Sequence, residues 1–286
     1  MFMKNILVTG GSGKAGRATI KLLLEKNYNV FNVDFVNNSE LDVPFTKVDL
    51  EDFGDAMAVV SEIDDRINGI DAVIHQAAIP ASGLKSNHKT FKANTLSTYN
   101  VFQASKVMKI NNIVWASSET VLGLPFDTYP PYVPVDEEYD PRPESSYSLS
   151  KVMGEEMARQ YCRRNPEMKI FGLRYSNIME EHDYKKFKSF QNDPFLRKWN
   201  FWGYIDARDV AQACLLAMES NLKGADNFII AADDTVMEED NKLLLDKVFP
   251  NIQIKGEIGK NKTLLSNEKA KKVLGFKPEY SWKNIN

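Results

Sequence analysis

Two side chains four residues apart, Tyr147 and Lys151, have the spacing in this sequence that most directly suggests chemistry. They bracket Tyr147-Ser148-Leu149-Ser150-Lys151, which opens an amphipathic run continuing to about Arg164. On a helix such a pair projects from one face, one turn apart. A phenol, with an unperturbed pKa of about 10, is a poor base at neutral pH. An ammonium beside it favours the phenolate, so the pair could take a proton from a substrate hydroxyl. Tyr-x-x-x-Lys alone also describes an ordinary helix surface. Its meaning rests on the elements that would position it.

The first of these elements lies at the start of the chain. Residues 4–9 form a short, apolar, β-rich run, followed by Gly10-Gly11-Ser12-Gly13-Lys14-Ala15-Gly16 and then by helical spacing over residues 17–26. Strand, glycine turn and helix in that order suit a dinucleotide. Gly10 allows the tight turn, Gly13 lets the backbone approach a pyrophosphate, and Gly16 lets helix and strand pack closely. The helix N-terminus offers free N–H groups to the anion. The spacing is G-x-x-G-x-x-G rather than the commoner G-x-G-x-x-G. The next strand, residues 29–33, ends in Asp34, 24 residues after Gly10. A carboxylate there can accept hydrogen bonds from the adenosine ribose and repel a 2′-phosphate, which favours NAD over NADP. It could also simply cap a strand, and Lys14 and Arg17 leave room for NADP.

Further strands and helices alternate. A third strand at 46–48 ends in Asp49-Leu50, and a helix follows over about 52–65. A fourth strand at 71–75 is closed by the small residues of Gln76-Ala77-Ala78. A helix over 90–108 carries Asn94, and a fifth strand, 111–116, ends at Ser117-Ser118. His75 reads as a structural histidine at a strand end. The alternation predicts an α/β fold, a doubly wound parallel sheet of Rossmann type whose ligands gather at the carboxyl ends of the strands. Residues 123–146 are a long, proline-rich connection. Along the Tyr147 helix, Gly154, Ala158 and Cys162 share the face of Tyr147 and Lys151, so that helix can lie close to the sheet. Leu149, Met153, Met157 and Tyr161 give it additional apolar surface, which a subunit contact or overlying loops would cover.

A sixth strand at 168–174 leads into Tyr175-Ser176-Asn177. Residues 178–203 read as irregular and rich in aromatic rings, with charges that nearly cancel and so make no case for an anionic substrate. A strand at 203–205, a helix at 206–220, a strand at 227–231 and a last helix at 266–274 complete the reading. Residues 1–177 would then be mainly the dinucleotide-binding domain. Residues 178–286 would be mainly a small C-terminal substrate lobe, with 203–231 returning to the large sheet.

Composition narrows the class. The 286 residues are 43% hydrophobic and 26% charged, with a net charge of −3 and no basic block, so neither nucleic acid nor an anionic membrane is an expected partner. No apolar run approaches the roughly 18 residues of a membrane span, and no signal peptide is recognisable; a cytoplasmic protein is expected. Cys162 and Cys214 fall in helical patterns and read as small buried hydrophobes rather than a disulfide. There is no metal-ligand cluster.

Taken together these stretches resemble the extended short-chain dehydrogenase/reductases of the NAD-dependent epimerase/dehydratase family. The matching residues are Thr9 to Gly16, Asp34, Asp49-Leu50, His75-Gln76-Ala77-Ala78, Asn94, Ser117-Ser118-Glu119-Thr120-Val121 and Pro134-Val135-Asp136-Glu137-Glu138. They continue through Tyr147-Ser148-Leu149-Ser150-Lys151, Arg174-Tyr175-Ser176-Asn177 and Tyr204-Ile205-Asp206 to Lys269-Ala270 and Leu274-Gly275-Phe276-Lys277-Pro278. The resemblance implies Tyr147 as catalytic acid/base, with Lys151 lowering its pKa and holding the nicotinamide ribose. Ser118 would bind the reacting oxygen and Asn94 would support a proton relay. The glycines with Ser12, Lys14 and Ala15 would cradle the pyrophosphate. Asp34 would take the adenosine ribose, Asp49 and Leu50 would flank the adenine, and Gln76-Ala77-Ala78 would lie along the cofactor. Tyr175 and Asn177 would lie near nicotinamide and substrate, with Glu119 also at the substrate.

The departures from the family pattern are informative. Dehydratases of the family carry Asp-Glu directly after the hydroxyl residue; here Glu119-Thr120 stands there, which disfavours dehydration. Leu122 replaces the usual tyrosine, and the stretch between Asn177 and Tyr204 is shorter than in nucleotide-sugar epimerases. A smaller substrate becomes plausible, as in the family's uronate dehydrogenases. The expectation is therefore NAD-dependent hydride transfer at a secondary alcohol of a sugar or sugar acid. A sugar epimerase working through a keto intermediate and a non-catalytic dinucleotide sensor are the alternatives. A homodimer through helices 90–108 and 147–164 is expected.

Overall fold

A computed structural model of the chain describes residues 4–61 and 69–284. Strand β1 (Asn5–Thr9) is the centre of the fold. Its Ile6, Leu7 and Val8 are fully buried, because helices cover both faces of the sheet around it. Helix α1 (Lys14–Glu25) follows the glycine turn, then come β2 (Asn29–Asp34), β3 (Phe45–Lys47), α2 (Phe53–Ser61) and β4 (Ala72–His75). Helix α3 (Asn87–Val107) starts earlier than the apolar spacing suggests, because the Ser86 side chain accepts from the Lys89 N–H and caps it. Next are β5 (Asn112–Ser118), β6 (Tyr132–Val133), α4 (Ser146–Arg164), β7 (Lys169–Tyr175), β8 (Ile178–Met179), β9 (Ile205–Asp206) and α5 (Ala207–Glu219). The chain ends through β10 (Gly224–Ile230), α6 (Asn241–Val248), β11 (Gln253–Ile254) and α7 (Glu268–Leu274).

Seven strands form one parallel sheet in the order β10-β7-β5-β4-β1-β2-β3. The direction of winding reverses between β1 and β4, and a crevice opens at the carboxyl ends of strands at such a point. Alternate residues of β1 serve the two faces. Ile6 and Val8 pack with Ile20, Leu23, Val210 and Cys214 of α1 and α5, whereas Leu7 packs with Val59, Val60 and Val101 of α2 and α3. Helix α4 lies over β5 and β7, where Gly154 admits the Trp115 ring; a Cβ there would come within 2.5 Å of the indole. A separate core, including Val133, Phe187, Phe201, Trp202, Phe249 and Leu265, fills the lobe.

Two expectations need correction. The strand expected at 203–205 does not enter the large sheet. Ile205–Asp206 pairs with Ile178–Met179 as its own two-stranded sheet, and within 203–231 only Gly224–Ile230 joins the seven strands. The reason is that β10 occupies the free edge of β7 along seven residues, leaving no place there for a second strand. Residues 178–203 are not irregular throughout: Glu181–Phe190 and Pro194–Asn200 are 3-10 helical. Residues 62–65 of the helix expected over 52–65 lie outside the described residues. Cys162 and Cys214 are buried free thiols.

Candidate active site

The carboxyl ends of the strands open into a cleft of about 1440 Å³. It is lined by Gly10, Ser12, Gly13, Lys14, Ala15, Gly16, Asp34, Asp49, Leu50, Gln76, Ala77, Ala78, Asn94, Ser118, Glu119, Tyr147, Lys151, Tyr175 and Asn177. These are all the residues that the resemblance assigns to catalysis or binding, brought to one cleft from positions up to 167 apart, Gly10 to Asn177; Arg17, weighed above for NADP, does not line it.

At one end is the glycine turn. Gly10 has φ +69, and a Cβ there would lie 2.5 Å from the Ala77 N, so the turn can be made only by glycine. Gly13 is different. A Cβ there would meet nothing nearer than the Gly10 carbonyl at 3.5 Å, an ordinary contact, so no protein atom demands glycine. The open backbone at the start of α1 fits an anionic ligand approaching closely. Across it, Asp34 accepts from the Ser12 N–H at 3.0 Å and the Phe35 N–H at 2.7 Å, and makes no ion pair among the described residues. This donor and acceptor set fits a dinucleotide with a free ribose diol. Lys14 is tied to Asp183, and Arg17 donates to Glu180 at 2.6 Å.

The other end is built by β5, α4 and β7. Ser145 caps α4 reciprocally with Ser148, which places Tyr147 in the first turn. The Ser118 oxygen accepts from Thr120 twice, from its N–H at 3.2 Å and its hydroxyl at 3.0 Å. With its acceptor capacity so used, Ser118 has its own O–H left to donate. Lys151 donates to the Ala116 carbonyl at 2.7 Å and its Nζ lies 5.6 Å from the Tyr147 ring centre. Asn94 pairs both ways with the Ile79 backbone, at 2.8 and 3.1 Å, and so fixes the cleft floor.

Burial pushes the Tyr147 phenol up to about 12, against the hydrogen bond from Ser118, and brings the Lys151 ammonium down to about 8. The expected lowering of Tyr147 by Lys151 is thus outweighed in the protein alone by desolvation. His75, at the end of β4, is held between Thr9 (2.7 Å) and Thr98 (3.3 Å), and burial lowers it to about 3, as suits a structural histidine. Glu119 differs from expectation. Its two oxygens accept from Ser176 at 2.6 Å and Asn200 at 3.1 Å, so its carboxylate is engaged inside the wall rather than free for a substrate. Tyr175 shares a hydrogen bond with the Cys214 thiol at 3.0 Å, and Asn177 accepts from Arg197 at 3.0 Å.

Sequence reasoning passed over Ser82, Leu124, Pro125, Glu144 and Trp199, which line the same cleft. None lies in a spaced motif, and only the folding back of two loops and the 3-10 helical segment Pro194–Asn200 brings them together. Among the described residues, the group that could hold a metal ion is Glu180, His182 and Asp183, and its carboxylates already bind Arg17, Lys14 and Lys186.

The profile of the NAD dependent epimerase/dehydratase family matches residues 6–231. The chain is 29% identical to a putative UDP-glucose 4-epimerase of Methanocaldococcus jannaschii, over 97% of this chain and 94% of that protein. It is 30% identical to an Arabidopsis thaliana bifunctional UDP-glucose and UDP-xylose 4-epimerase, over 63% of this chain and 54% of that protein. A crystal structure of a short-chain dehydrogenase/reductase superfamily protein from Agrobacterium tumefaciens with bound NAD shares the fold, with a TM-score of 0.74 at 23% identity, covering 98% and 94% of the two chains. A UDP-galactose 4-epimerase structure matches with a TM-score of 0.68 at 25% identity, covering 97% and 94%. With the match spanning the strand–glycine–helix unit, Tyr147, Lys151 and the strands around them, this chain belongs to the NAD-dependent epimerase/dehydratase family.

Proposed function

We propose that this protein is an NAD-dependent dehydrogenase acting on a secondary alcohol carbon of a small polyol, sugar or sugar acid. The observation that carries the reading is the composition of the cleft wall: among the described residues beyond Ile178, only Trp199 contributes to it. A nucleotide sugar needs a groove in the lobe that grips the nucleotide while the sugar reacts, since remote binding energy restrains it. Here Phe187, Phe201 and Trp202 are packed away in the lobe core instead.

In this reading residues 1–177 mainly bind the cofactor and 178–286 mainly form the substrate lobe. Residues from Asp34 to Tyr147 along the cleft would hold NAD, which would supply a hydride acceptor and a positive charge near the proton-transfer site. Gly13 and the start of α1 would receive the pyrophosphate, and Asp34 would take the ribose hydroxyls. Ser118 donates its O–H to the substrate oxygen, and Tyr147 removes the hydroxyl proton. Lys151, protonated at neutral pH, supplies the positive charge that favours the Tyr147 phenolate before it takes the proton, and would hold the nicotinamide ribose. Asn94 acts by holding the Ile79 backbone.

A second reading, a nucleotide-sugar epimerase, is favoured by the near full-length likeness to a putative UDP-glucose 4-epimerase. Incubating the protein with NAD and a panel of sugars, sugar acids and nucleotide sugars, with NADH absorbance and product stereochemistry followed together, separates the two. Stoichiometric NADH from a small substrate supports the dehydrogenase. Epimerised nucleotide sugar without net NADH replaces it with the epimerase.

We further propose that the working form is a homodimer. Leu96, Tyr99 and Val107 on α3 and Leu149 and Met153 on α4 are all more than a third exposed on two adjoining helices, an apolar face that a second copy would cover. Among the described residues no helix is long and apolar enough to cross a membrane, and two free buried thiols suit a cytoplasmic setting.

A further inference from the structure

Beside the glycine turn stand two cations, Lys14 and Arg17, and each could in principle neutralise a 2′-phosphate on the adenosine ribose. Arg17 is the better placed. Its Nη1 donates to the Ser12 carbonyl at 2.9 Å, while the Ser12 N–H is donated to Asp34 at 3.0 Å. One residue of backbone therefore separates the guanidinium from the carboxylate that would face the ribose. The other end of Arg17 is occupied by a residue that follows β8: Nη2 donates to Glu180 at 2.6 Å, and both side chains are only about a quarter exposed, 23% and 25%. Glu180 is itself anchored, because its N–H donates to Asp183 at 3.1 Å. Asp183, 4% exposed, pairs with Lys14 and with Lys186 at 2.8 Å.

We infer that Glu180, with Asp183 behind it, is a positioning residue for cofactor choice: it engages Arg17 and keeps that guanidinium from a phosphate at the ribose end. This inference rests on the reading of the cleft as an NAD site. A phosphate on the 2′-oxygen carries nearly two negative charges and calls for arginine or lysine. It would meet Asp34 directly, and both nearby cations are already paired with carboxylates of residues 180–183. The dinucleotide without that phosphate needs neither cation. Discrimination thus depends on the substrate lobe as well as on the second strand, and the lobe acts through a residue of the cofactor helix.

The test is a pair of fluorescence titrations of the purified full chain, with NADH and with NADPH. Glu180→Gln keeps the side chain's shape but removes its charge, and it should improve NADPH relative to NADH by about fivefold, the scale of a partly exposed ion pair. Arg17→Met added to Glu180→Gln should remove that gain, since the freed guanidinium is what the phosphate would meet. A NADPH-to-NADH ratio unchanged in Glu180→Gln overturns the inference. So does equal weakening of both cofactors, the mark of a contact that only holds the lobe in place. If the unaltered protein binds neither cofactor, the dinucleotide reading itself fails and this inference falls with it, whereas an unchanged ratio with strong NADH binding removes the inference alone.

Discussion

Two residues illustrate how burial decides chemistry here. Tyr147 is 8% exposed and burial pushes its phenol up to about 12, so the phenolate that takes a proton forms readily only when positive charge acts on it. Tyr147→Phe should leave NADH affinity unchanged and lower turnover by about a hundredfold or more, the usual contribution of a positioned acid/base. Fluorescence titration and steady-state rates on the same preparation check it, and near-normal turnover would remove Tyr147 from its role. His75 makes the second case. Its folded pKa is lowered from 6.5 to about 3, so it stays neutral in the core while the unfolded chain binds a proton. The stability this confers is fully present above about pH 6.5 and is lost as pH falls towards about 3. Glu119 and Asp209 work the other way. Burial raises each to about 7, so the folded state keeps protons that the unfolded one releases, and stability falls as pH rises through the window from their ordinary values to about 7. Urea midpoints of the parent chain and His75→Gln, measured between pH 7 and pH 4, should isolate the histidine: the parent loses more over that interval. Parallel losses would mean that His75 does not titrate this way.

Between the elements, one buried ion pair joins the three that carry the reacting end of the cleft. Glu155, two turns beyond Tyr147 on α4, accepts from Arg174 of β7 at 2.9 and 2.8 Å and from Ser117 of β5 at 2.6 Å. Ser117 precedes Ser118, and Arg174 precedes Tyr175, so the pair sets where those side chains stand. Its net worth against an apolar substitute is small, but losing one partner leaves the other charged and unpaired. Glu155→Ala should cost ~3–5 kcal/mol of stability by chemical denaturation. Gly154→Ala tests the same helix by volume. Its methyl would run into the Trp115 indole, and the resulting overpacking should cost about 1–3 kcal/mol and displace Lys151 from the Ala116 carbonyl. A stable Gly154→Ala protein with unaltered turnover would show that α4 can lift from the sheet without consequence. The glycine's neighbourhood was readable beforehand as a small-residue face; that an indole fills it was not.

For the molecule as a whole, the apolar face of α3 and α4 makes the clearest prediction. Leu149→Glu with Met153→Glu, two exposed positions, should turn a dimer into a monomer in light scattering while changing the fold little. A monomeric parent chain would remove the proposal. The sequence by itself determined the parallel sheet, the glycine turn with Asp34 and the helix bearing Tyr147 and Lys151, because these depend on local spacing: the apolar period of strand or helix, and the residue types that a turn or a helix face accepts. It also placed the candidate residues at strand ends, since a doubly wound sheet admits one ligand crevice. Only the tertiary structure decided the rest. The carboxylate of Glu119 is committed to Ser176 and Asn200, 57 and 81 positions away in the chain, and no spacing rule reports a partner so distant. The two cations beside the glycine turn looked free in the sequence and are bound by carboxylates more than 160 positions on. Strand β9 missed the large sheet because β10 already held its edge. In each case the outcome was set by competition for a partner or a place, and such competition exists only once the whole chain has packed.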